Sequence, residues 1–162
     1  MSQWLWHPIF VHFTVALLFL APVLFLLGAA APKKRWSHSV LFAARWHLWA
    51  GMAFAVGTVA TGFLAYATVP HVGPAHPFMI EHRNWALSAA AVYSVLAAWQ
   101  YALFRSARMT SAAFLVVSVV GLGLLARTGY LGGELVFTHG AGVAQIEAAG
   151  DDGHEHGDDH QH

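Results

Sequence analysis

The sequence predicts an all-α fold: an integral membrane four-helix bundle over residues 1–143, followed by a disordered His/Asp-rich tail over 144–162. Three observations predict it. Of 162 residues, 57% are hydrophobic and only 10% charged, where a soluble domain carries roughly 25% charged residues; mean hydropathy is +0.53. The apolar residues come in four blocks, each meeting or approaching the about 20 residues that span a hydrocarbon core of about 30 Å. The chain then ends in DDGHEHGDDHQH, which holds no apolar side chain and cannot build a core.

The first block, residues 9–31, reads IFVHFTVALLFLAPVLFLLGAAA. Pro22 sits mid-span, where neighbouring helices tolerate a kink. A secretory signal peptide is the alternative, but no Lys or Arg precedes the run and it exceeds a typical h-region, so a retained first helix is expected. The second block covers 40–67 and the third 83–104, with His82 just before it. The fourth covers 111–131, SAAFLVVSVVGLGLLARTGYL. All four are too long for strands.

Charge sets an orientation. Lys33, Lys34 and Arg35 lie between helices one and two, Arg45 just inside helix two, and Arg105 and Arg108 between helices three and four. Only Arg83 and Arg127 fall near the other face. All eight acids lie there: Glu81, Glu134, Glu147, Asp151, Asp152, Glu155, Asp158 and Asp159. Counting Lys and Arg in short loops places both basic loops in the cytoplasm and both termini outside. Trp36, Trp46, Trp49 and Trp99 mark the inner interface, Trp4, Trp6 and Trp85 the outer one. The expected location is a bacterial inner membrane. Zero formal net charge argues against nucleic acid, and the absence of cysteine excludes disulfides and thiolate sites.

Ten of the twelve histidines fall on the acidic side; only His38 and His47 are on the other. His7 and His12 come from helix one, His82 from the start of helix three, and His139 with Glu134 from the segment after helix four. These distant helix ends converge on one face, as in sites built across bundles. His7 and His12 are five positions apart, about 500° at 3.6 residues per turn, or about 140° around the helix. They therefore take partners from other segments: His12 with His82 and His7 with His139, or the crossed pairing. His71 and His76 read as ordinary loop residues. His47 shares a stripe with Gly51, Ala55 and Thr58 that reads as helix packing.

HPIFVHFTVALL near the start, HRNWA opening the third helix and GYLGGELVFTHGAGV after the fourth resemble a bacterial family of predicted four-helix membrane domains of unknown function. That family's pattern is His-Pro-x-x-Val-His-Phe-Pro, then His-x-x-x-Asn, then Gly-Gly-Glu-Leu-Val-Tyr-x-His-Gly-x-Gly-Val. The resemblance covers residues 7 to about 143. His7, Pro8, His12, Gly132, Gly133, Glu134, His139 and Gly140 match, and His82 stands at the histidine of the second motif. Thr14 replaces a proline, Phe137 a tyrosine, and Asn84 follows His82 by two positions rather than four. The family is often joined to, or encoded beside, cytochrome c-like modules, which implies a periplasmic redox protein or other membrane subunits as partners.

Three chemistries fit histidine without cysteine. Haem b held by two of His7, His12, His82 and His139 suits a bundle; Ala89, Ala90, Ala91, Gly57 and Gly62 would give a flat macrocycle room. Histidines with Glu134 would bind Zn, Cu or Fe ions, and His154, His156, His160 and His162 of the tail would add weak sites. The third is a cofactor-free structural subunit. No hydrolytic, transferase or nucleotide-binding motif is present. The expected function is a b-type haem electron-transfer subunit of a bacterial redox or respiratory complex, with metal-ion handling as the alternative.

Overall fold

The computed structural model describes residues 6–68, 75–106 and 109–141. They form four helices: α1 (Trp6–Ala30), α2 (Ser37–Thr68), α3 (His76–Arg105) and α4 (Ala112–Phe137). There is no strand among the described residues. Each helix is long and apolar enough to cross a membrane. Large apolar side chains such as Phe19, Phe63, Val95 and Val116 point away from the bundle, a surface suited to lipid rather than water.

The helices run beyond the expected ends. α1 starts at Trp6 and carries Pro8 in its first turn, where a proline's missing N–H costs nothing. α3 starts at His76, with Pro77 in the same role, so His76 is helical and His82 lies two turns inside. α4 begins on Ser111, whose Oγ accepts from the Phe114 amide at 3.2 Å. It runs six residues past Leu131 to Phe137, so Glu134 is on the helix. Gly140, at φ 62°, ends it. The Gly140 amide donates to the Val136 carbonyl, the 5→1 bond of an αL cap, and the Ala141 amide to the Leu135 carbonyl. The tail, with His154, His156, His160 and His162, lies outside the described residues, as does His71.

Two helical hairpins make the bundle, and they repeat one another. The buried residues of α1 recur in α3 at a displacement of 75: Thr14 with Ala89, Leu18 with Tyr93, Ala21 with Leu96, Phe25 with Gln100, Gly28 with Leu103. Those of α2 recur in α4 at 70: Ala44 with Phe114, Leu48 with Ser118, Gly51 with Gly121, Ala55 with Leu125. Both second helices carry Gly-x6-Thr-x3-Gly, at Gly51, Thr58, Gly62 and at Gly121, Thr128, Gly132. The Tyr93 hydroxyl donates to the Leu18 carbonyl at 2.9 Å, so repeat-equivalent positions touch and the pseudo-twofold axis runs between them. α1 packs on α2 and α3 on α4, while α1–α4 and α2–α3 contacts close the ring, as that axis requires.

The two hairpins are packed differently. A Cβ at Gly51 would stand 2.5 Å from Leu18 Cδ2 and 3.2 Å from Leu17 Cβ, whereas one at Gly121 would find nothing nearer than 3.4 Å. Gly51→Ala should therefore lower stability by about 1–3 kcal/mol through overpacking. Gly121→Ala should be neutral or stabilising, since alanine gains about 1 kcal/mol of helix propensity over glycine. Thermal unfolding of the two variants in detergent checks the contrast; equal effects would contradict this packing.

His7, His12, His82, His139, Glu81, Glu134, Arg83 and Arg127 share one end of the bundle, the histidine end. Lys33, Lys34, Arg35, Arg45 and Arg105 share the other, the basic end.

Candidate cofactor-binding site

The repeat places two histidines at equivalent positions, His7 of α1 and His82 of α3. His7 Nδ1 is 3.1 Å from the Thr58 carbonyl of α2 and 3.4 Å from Thr61 Oγ1. His82 Nδ1 is 3.1 Å from the Thr128 carbonyl of α4. A carbonyl only accepts, so each Nδ1 carries the proton and donates. In the neutral ring the Nε2 lone pair is then free, and neither Nε2 has a hydrogen-bond partner among the described residues.

Glycine seats both rings. A Cβ at Gly62 would lie 3.0 Å from His7 Cε1, and one at Gly132 would lie 3.2 Å from His82 Cε1. Each glycine stands one turn beyond the threonine whose carbonyl holds the same ring, so Thr-x3-Gly is an imidazole seat used twice. Both rings are half-buried. Below them, Thr14 and Thr58 share a 2.7 Å hydroxyl hydrogen bond.

The other expected ligands stand elsewhere. His12 is exposed on α1, its Nδ1 bonded to the Pro8 carbonyl in its own helix. This is the azimuth that five residues of separation from an inward His7 dictate. His139 follows α4; its ring lies 4.1 Å from Phe78 at 30°, and its Nε2 is buried with no partner among the described residues. Glu134 lines a shallow surface groove with Gly129, Tyr130 and Gly133. No three His, Asp or Glu side chains converge among the described residues. His47 bonds the Ala43 carbonyl at 2.8 Å, within its own helix.

Residues 6–145 match the sequence profile of a family described as predicted membrane protein, DUF2231. The chain belongs to this family. Neither the curated proteins nor the solved structures offer a significant match. Membership agrees with the four spans and leaves the chemistry to be argued from the site.

Two features bear on a haem. The donor set fits: two imidazoles on different hairpins, each with Nδ1 fixed by a helix carbonyl, would hold a haem iron. The expected room differs. Gly62 seats His7 rather than a macrocycle, Gly57 receives the Phe10 ring, and Ala89 is in the core. Toward the histidine end burial is uneven: beyond Thr14 on α1, beyond Ala55 on α2 and before Ala89 on α3 no described residue is fully buried, whereas Leu131 and Leu135 of α4 are.

Arg127 pairs with Glu81 at 2.8 Å and lies over the rings of Trp85 and Tyr130, and Arg83 lies over Tyr66. Sequence reasoning missed Thr58, Thr128 and Gly132 as parts of the seats. The repeated Gly-x6-Thr-x3-Gly was the signal that could have found them.

Proposed function

We propose that the protein is a b-type haem electron-transfer subunit of a bacterial membrane redox complex, in which His7 and His82 would hold the haem iron. One observation carries this reading: two repeat-equivalent imidazoles, each with Nδ1 held on a helix carbonyl and Nε2 free. A macrocycle supplies four nitrogens, so its iron needs only two protein ligands. A bare zinc-type ion needs three or four, and no third His, Asp or Glu joins the pair among the described residues. The bound group would supply one-electron chemistry. The chain's own part is to hold both tautomers through the Thr58 and Thr128 carbonyls, which also makes each Nε2 a stronger donor. The aromatic and charged rim at the histidine end suits a cytochrome c-like partner. His139, with its orphan Nε2 beside Phe78, favours metal-ion handling as a second reading.

Reduced-minus-oxidised spectra of the purified full chain, expressed with haem supplied, test the proposal. The expected result is a b-type α-band and a shifted Soret band. A featureless spectrum with stoichiometric zinc, copper or iron would favour the second reading.

We propose that the basic loops face the bacterial cytoplasm and the histidine end the periplasm, because five of eight Lys and Arg lie in two short loops. Ser37 is buried, its hydroxyl bonded to the Gly28 carbonyl at 2.8 Å, so a probe there would be shielded. Lys34 is exposed. In this cysteine-free chain, Gly150→Cys should react with an impermeant thiol reagent in intact cells, and Lys34→Cys only after lysis. The reverse pattern would invert the orientation.

A further inference from the structure

We infer that the basic end holds a built site for an anionic phospholipid whose headgroup also bears a hydroxyl, with Arg45 as the phosphate-binding residue. The repeat makes the site conspicuous. The equivalent of Arg45 in the second hairpin is Leu115, and the equivalent of Gln100 in the first is Phe25. Two positions that are apolar in one hairpin are polar in the other, and both polar side chains reach the same residue. Arg45 Nη2 donates to Met109 Sδ at 3.1 Å, and Gln100 Nε2 donates to the Met109 carbonyl at 3.2 Å.

Both are poorly satisfied. Arg45 is 4% exposed and Gln100 is 0% exposed. Arg45 Nε and Gln100 Oε1 are buried without partners among the described residues. A thioether is a weak acceptor, and a guanidinium does not deprotonate. The Phe104 ring, 4.6 Å from the guanidinium, offsets part of the charge. No carboxylate among the described residues does: Glu81 and Glu134 are at the other end, and Arg127–Glu81 is the ion pair among the described residues. A buried cation left unpaired is costly in a membrane bundle, and an anion from outside the bundle would supply the counter-charge that the described residues do not.

The surroundings specify that anion. Met109 lies two residues before the Ser111 cap of α4. The first-turn amides of Ala112 and Ala113 have no intrahelical acceptor, and the positive end of the helix dipole sits beside Arg45. An anion here meets a guanidinium and a helix N-terminus together. The free Gln100 Oε1 accepts, so it takes a headgroup hydroxyl. Phe104, against the guanidinium, is half-exposed on the outward surface, where acyl chains lie. A soluble phosphate matches the polar part alone; the flanking apolar surface points to the lipid.

Full-length protein in neutral detergent is titrated with phosphatidylglycerol, phosphatidylcholine or inorganic phosphate, and followed by thermal unfolding and native mass spectrometry. Phosphatidylglycerol should raise the unfolding temperature by several degrees and persist as an adduct, and the other two should not. Arg45→Leu copies the residue of the other hairpin, so it should fold, yet it should lose the phosphatidylglycerol preference by about tenfold or more. Lys33→Gln with Lys34→Gln removes only exposed charge and should keep it. The inference falls if Arg45→Leu keeps the wild-type preference, if inorganic phosphate gives the same shift, or if the lysine pair alone abolishes it. None of these outcomes depends on the haem reading.

Discussion

Replacing His7 or His82 with alanine should each abolish stable haem binding, to the same degree, while His12→Ala leaves the spectrum of the parent. The equality follows from the repeat: His7 and His82 hold the same place in their hairpins and the same bond to a helix carbonyl. Loss of either would leave the iron with one of its two protein ligands. The haem would then dissociate, or turn high-spin with a weakened Soret band. His12 is exposed and bonded within its own helix, so its removal touches neither seat. Each variant must first insert and elute as a single species, because a misfolded bundle loses a cofactor for trivial reasons. Correctly folded His7→Ala or His82→Ala with an unchanged spectrum would break the assignment. So would loss of haem from His12→Ala alone.

Filling the seats should do nearly as much damage without removing a ligand. Gly62→Val and Gly132→Val drive side-chain carbon into space held by the His7 and His82 rings, where even a Cβ would stand 3.0 Å and 3.2 Å from Cε1. Overpacking of this kind costs about 1–3 kcal/mol, and here the ring yields, since it is only half-buried and its neighbours are helix backbone. That corresponds to roughly a five- to 150-fold loss of haem affinity. Gly123→Val and Gly129→Val are the controls, because a Cβ at either meets nothing within 4 Å. Haem titration of the four apoproteins separates the sets. Equal affinities across all four would show that the glycines do not seat the ligands.

Much of the fold was legible in the residues. Four apolar blocks of spanning length announce four helices, and no tertiary detail is needed to see them. The helix ends were not legible from hydropathy, because glycines, prolines and charged residues interrupt the apolar pattern before α3 and α4 end. His76–Arg83 continues α3 outward and Gly132–Phe137 continues α4, so Glu134 is helical rather than in a connector. That one face gathers the histidines could be read from topology and charge. Which histidines turn inward could not. Spacing shows that His7 and His12 diverge by about 140°, but only packing against α2 decides that His7 is the inward one. The hairpin repeat escaped notice for a related reason. α1 and α3 share few identical residues, and the repeat lives in which positions are buried. Its trace in the letters is the paired Gly-x6-Thr-x3-Gly, whose threonines act through main-chain carbonyls that no side-chain motif advertises. Arg45 read as one more positive-inside charge, and only its burial sets it apart.

The central claim is that one haem iron is held between two equivalent histidines. Its most direct test is the haem-to-chain ratio of the purified full-length protein, taken with the electron paramagnetic resonance spectrum of the oxidised form. The account predicts one b haem per chain and a low-spin bis-imidazole signal. A chain that takes up no haem when it is supplied, or that gives a high-spin signal with a single protein ligand, would contradict it.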